Sequence, residues 1–87
     1  MNLSVFVTTV YAADGNHRVK IDLMAGDEVK WKRNGTRGCY HGKVLSVTNK
    51  SARVKLLSHD GLEITPRIVN IKRGISSAYR NGRRLTA

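Results

Sequence analysis

The chain has one cysteine, one proline, one tryptophan and one phenylalanine, and only six acidic residues in 87. Each scarcity excludes something. A lone Cys39 cannot close an intrachain disulfide, so a reducing interior is the expected home. One proline beside 40% hydrophobic residues argues against a disordered or linker-like chain. No run approaches the ~20 apolar residues of a membrane span. The opening Met1-Asn2-Leu3-Ser4-Val5-Phe6-Val7 lacks a basic n-region, and Thr8 and Thr9 dilute its apolar run. A secretory signal is therefore not expected, and the expected location is cytoplasmic.

The groups that carry chemistry are just as sparse. Cys39-x-His41 supplies two metal ligands, but His17 and His59 sit in separate turns and no second cysteine follows. A structural zinc site wants four spaced ligands, so no metal is expected. Asp60 and Glu63 flank one hairpin and read as turn and rim residues. No Ser/His/Asp or Cys/His/Asn order stands out, and no phosphate-cradling loop or dinucleotide fingerprint occurs. At this length one domain is expected, with about 60% of the unfolded chain's surface buried and little apolar volume left for a deep substrate pocket. The expectation is a binding module, not an enzyme, with no cofactor.

Cations, by contrast, are abundant and unevenly placed. Sixteen lysines and arginines give a formal net charge of +10. Residues 1–29 hold two bases (Arg18, Lys20) and four acids (Asp14, Asp22, Asp27, Glu28), while residues 30–87 hold fourteen bases and two acids (Asp60, Glu63). Such a field attracts polyanions and speeds encounter with them. Nucleic acid is the favoured partner, with an anionic membrane or an acidic protein as the rivals.

The pattern of the chain is that of strands. Residues 3–11 are rich in β-branched and aromatic side chains, Ala13-Asp14-Gly15-Asn16 supplies turn chemistry, and residues 17–23 alternate with Val19, Ile21 and Leu23 on one face. These predict a hairpin within residues 1–25. After Ala25-Gly26-Asp27 come four further strand-like runs: the alternating 28–33, then 39–48 with Gly42 marking a bulge or a sharp bend, the alternating 51–57, and the short 62–64. Pro66 is expected to interrupt the pattern and Ile68–Ile71 to close it. No apolar stripe at helical spacing runs beyond about one turn. Residues 74–87, with few apolar anchors, are expected to form a flexible basic tail or a marginal helix.

From Gly26 to Arg73 the order of features resembles an SH3-like barrel of the Tudor and KOW kind. Gly26-Asp27-Glu28-Val29 is similar to the opening of its first strand, and Tyr40-His41-Gly42-Lys43-Val44 to its second. Asp60-Gly61 resembles the distal turn. Ile64-Thr65-Pro66-Arg67 followed by Val69-Asn70-Ile71-Lys72-Arg73 is similar to the 3₁₀ link and closing strand. The order also resembles the C-terminal DNA-binding domain of retroviral integrases. The resemblance implies an all-β fold: a small SH3-like barrel of about five strands over residues 26–73. The hairpin of residues 1–25 would extend the sheet or make a homodimer contact, and residues 74–87 would follow as a basic tail. Plasmid-borne SH3-like dihydrofolate reductases share the opening motif, but their active-site stretch finds no match here.

On this frame the cations acquire positions. Lys30, Lys32, Lys43, Arg53, Lys55, Lys72 and Arg73 would line the outer face and rim of a curled sheet, an array that a repeating phosphate charge rewards by counterion release. Arg33, Arg37 and Arg67 lie in or beside loops, where a guanidinium can grip phosphate or reach a groove. Arg80, Arg83 and Arg84 would add non-specific affinity from the tail. A single lysine at period two is most simply a solvated strand face; the set, almost free of acids, is not. Tyr40, beside the glycine-rich loop, is open to either packing or base stacking, whereas Trp31 shares the face of Val29 and is favoured for the core. The reading is a nucleic-acid-binding module contacting the backbone, DNA slightly ahead of RNA. Its rival is an adaptor that docks an acidic segment of a larger nucleic-acid-processing machine.

Overall fold

In a computed structural model, which describes residues 5–32 and 38–86, every regular element is a strand. The alternating segments become β1 (Phe6–Tyr11), β2 (Arg18–Leu23), β3 (Glu28–Trp31), β4 (Tyr40–Val47), β5 (Ala52–His59), β6 (Leu62–Ile71), β7 (Ile75–Arg80) and β8 (Arg83–Arg84). β1 and β2 form a two-stranded sheet, and the rest form a six-stranded sheet in the order β6-β5-β4-β3-β7-β8. All pairings are antiparallel.

Local chemistry explains the turns. Between β1 and β2 the Asp14 carboxylate accepts the amides of Asn16 (2.8 Å) and His17 (3.3 Å), closing the hairpin that the turn residues predicted. Asp60 and Gly61, both at positive φ (53° and 81°), make the tight turn from β5 to β6, matching the twist of the strands they join. Gly42 sits where the β4–β5 register shifts, as its place inside a strand suggested; a Cβ there would lie 2.6 Å from the Lys55 carbonyl oxygen.

The sheet is strongly curled. β6 and β7 lie four strand spacings apart, about 19 Å if flat, yet only Lys72-Arg73-Gly74 joins them. Four residue steps span at most about 14 Å, so the outer strands must bend towards each other. The curl does not close into a barrel: β6 and β8 remain edges. The β1–β2 hairpin covers the inner face, contributing Phe6, Val10, Ile21 and Leu23 to a core completed by residues such as Val29, Val54, Leu56 and Ile71. Three arginines fasten it there. Arg18 donates to the carbonyls of Thr9 (2.8 Å) and Ile75 (3.1 Å), Arg84 to those of Tyr11 and Ala12, and Arg80 to that of Asp22.

Two expectations are corrected. Residues 64–67 are not a 3₁₀ link: β6 runs unbroken from Leu62 to Ile71 through Pro66. The strand tolerates proline because it is an edge, and because the ladder steps there from Leu56–Arg67 to Ser58–Glu63, leaving Pro66 out of the pairing. Residues 75–84 are not a flexible tail or a helix. β7 pairs with β3 and buries Ile75, Ser77 and Ala78, so it, and not residues 69–73, lies beside β3. Small side chains gave β7 little hydrophobic signal, but the free edge of β3 supplies the backbone partners.

Candidate nucleic-acid interface

The structure distributes the expected cations over three regions. Lys30, Lys43, Arg53 and Lys55 are exposed on the outer face of the sheet. Lys43 lies directly across from Lys55, and like charges in that arrangement repel. Among the described residues, no lysine closes an ion pair. Yet this face is not continuously basic. Its rows run Glu28–Lys43–Lys55–Ile68 and Lys30–His41–Ser58–Glu63, so two carboxylates and an exposed isoleucine break the array. Glu28 also approaches His41 at 3.5 Å.

At the far end of the sheet lie Arg80, Arg83 and Arg84. Arg80 is paired with a buried carboxylate. Its Nε and Nη2 donate to Asp27 Oδ1 and Oδ2 at 2.8 and 2.9 Å, and Asp27 is only 2% exposed. This bond holds the Arg80 guanidinium above its ordinary value. Asp27 also accepts the Met24 amide at 2.9 Å, so the acid of the Gly-Asp-x-Val motif organises its own turn and clamps β7. Arg83 and Arg84 remain exposed.

The third region lies at the other end of the inner face, beyond the core. Here Trp31, Tyr40 and His59 are successive partners across β3, β4 and β5. Pairing directly across strands puts their rings on one face. The Trp31–Tyr40 centroids are 5.5 Å apart at 33°, and those of Tyr40 and His59 4.4 Å apart at 23°. These separations are close to the strand spacing, so the rings form a column running across the sheet. All three are half-buried.

Cations flank the column on both sides. Tyr40, His59 and Ile64 line an open cleft of about 360 Å³ with Arg67, whose guanidinium sits 5.9 Å from the Tyr40 ring centroid. Trp31 lines a second, of about 590 Å³, with Lys32, Arg73 and Arg18. Among the described residues, no carboxylate lines either cleft. Lys72 is exposed beside Arg73 in the crossover between β6 and β7. Arg33 and Arg37 lie outside the described residues.

Of the expected site residues, the structure thus brings together Lys32, Tyr40, Arg67 and Arg73, and separates them from the outer-face set. Arg53 is six residues from His59 along β5, roughly 20 Å away. Sequence reasoning missed Arg18 and His59. Arg18 was counted in the poorly basic N-terminal third, and only the docking of the hairpin carries it to Trp31. His59 was placed in a turn; its pairing with Tyr40 depends on the β4 and β5 bulges. Trp31, favoured for the core, is half-buried against it, and Tyr40, left open between packing and stacking, packs there too and meets both Trp31 and His59.

Among the described residues, no three His, Cys, Asp or Glu side chains gather as metal ligands, and no helix is long and apolar enough to cross a membrane. Comparison with known proteins gave no match to a family model, a curated protein or a solved structure.

Proposed function

We propose that this chain is a nucleic-acid-binding module of SH3-like type that acts without catalysis, in the cytoplasm. The observation that carries the reading is the Trp31–Tyr40–His59 column, with Arg67 on one side, Lys32, Arg73 and Arg18 on the other, and, among the described residues, no acid lining either cleft. Aromatic faces beside cations are what bases and phosphates require together. The fold assignment draws support from the strand order. The meander β3-β4-β5-β6, with β7 returning to the free edge of β3, follows the order expected of an SH3-like barrel, with β7 in the place of its last strand.

The outer lysines would extend the basic field without forming the contact surface. An adaptor reading that relies on an aromatic box gains nothing from rings tilted by only 33° and 23°, because such a box needs walls that face one another around the cation.

Anisotropy titrations with labelled oligonucleotides test the assignment. Three or four cations at the rings give a slope of log K against log salt of about −2 to −4. R67A with R73A should weaken binding more than K43A with K55A. A flat salt response, or loss confined to the outer-face pair, would refute the assignment, as would a partner recovered equally well after nuclease digestion.

A further inference from the structure

We infer that the ring-end site takes single-stranded nucleic acid in preference to duplex, an inference that rests on the binding function proposed above. In a duplex each base is covered by its neighbours, and an aromatic side chain reaches it only after unstacking or flipping. A single strand offers its base faces freely. The Trp31–Tyr40–His59 column can use such faces at its two ends: Tyr40 lies between the other rings, stacked on His59 and tilted against Trp31, while Trp31 borders one cleft and His59 the other.

The spacing of the cations agrees. Arg67 stands on β6, whereas Lys32 follows β3 directly. Three strand spacings separate these strands, at most about 14 Å because the sheet curls. A strand of a few nucleotides crossing the column would place phosphates near Arg67 at one end and near Lys32 and Arg73 at the other. A duplex turn advances about 34 Å and needs a longer row of cations. Among the described residues the longer row is the outer face, and Glu28, Glu63 and Ile68 interrupt it. Arg18 adds charge without being consumed, because its bonds to Thr9 and Ile75 go to neutral oxygens.

Trp31 is the single tryptophan of the chain, so its emission reports directly on stacking. The test compares a twelve-nucleotide DNA strand, the RNA of the same sequence and the corresponding DNA duplex, at one salt concentration, by anisotropy and by Trp31 fluorescence. At least one single strand should bind about tenfold more tightly than duplex and quench Trp31. Y40L removes the ring between Trp31 and His59 and so breaks the column; it should lose about tenfold in affinity for that strand, the scale of one stacked base, while its affinity for duplex stays near the parent's. Y40F should restore the loss. R67A, an exposed change that spares the column, should weaken binding without abolishing the Trp31 quench. Equal or tighter binding of duplex with Trp31 emission unchanged would overturn the single-strand inference and leave nucleic-acid binding standing. Failure of all three probes to bind would overturn both.

Discussion

Replacing Arg80 with alanine should expose how much this fold depends on one ion pair. Asp27 is 2% exposed and receives two hydrogen bonds from Arg80, at 2.8 and 2.9 Å, and one from the Met24 amide. Without the guanidinium the carboxylate stays buried with one amide for company. Breaking a buried pair from one side costs about 3–5 kcal/mol. The Arg80 side chain is 38% exposed, so water screens part of the interaction, and roughly 2–4 kcal/mol is the expected loss. For a domain of this size that lowers the melting temperature by roughly 10–20 °C. Urea unfolding followed by Trp31 emission, with thermal melts by circular dichroism, would measure it. D27N should cost a similar amount. The double variant should lose at least ~1 kcal/mol less than the two singles together, because the second change removes a group already stranded. The salt slope of the proposed nucleic-acid binding should stay as in the parent, since Arg80 is paired with Asp27. A loss for R80A below ~0.5 kcal/mol, additive single effects, or a slope reduced by about one unit would each refute the clamp.

Two smaller perturbations test the local chemistry. G42A forces a Cβ to within 2.6 Å of the Lys55 carbonyl and of Val54 Cγ1, atoms of the β5 backbone and the core. It should destabilise the protein by roughly 2 kcal/mol, read as a lower urea midpoint; a neutral result would mean that the bulge has room to relax. The Asn16 amide, and after it the His17 side chain, holds the Asp14 carboxyl below its ordinary 3.8. A depressed acid stabilises the fold above its unfolded value and loses that contribution as pH falls through the folded one. The turn should therefore loosen only at pH below about 3.8. An NMR titration of the Asn16 amide would show it, and D14A should remove the transition; a midpoint at or above the ordinary value would contradict the hydrogen bonds.

Much of this architecture was legible from alternation. Val19, Ile21 and Leu23, or Val54 and Leu56, declare their inward face because successive side chains on a strand point to opposite sides. The turns at Asp14–Gly15 and Asp60–Gly61 declare themselves because those residue types accept the backbone angles a turn requires. The same local rules put Lys30, Lys43 and Lys55 on the solvent face without any knowledge of pairing.

What these rules could not supply was partnership. Whether residues 75–80 or 69–73 complete the edge of β3 depends on backbone groups brought together from distant parts of the chain, and Ile75 and Ala78 alone are too small a signal. Arg80 and Arg83 look alike in sequence, yet one lies against a buried carboxylate and the other faces water. His59 joins the rings because two bulges shift the register between β4, β5 and β6, and a shift of one residue would have turned it to the other face. Side-chain orientation along a strand is a property of a few consecutive residues. Register, and the company each charge keeps, is a balance of contacts between strands that no short stretch of chain contains.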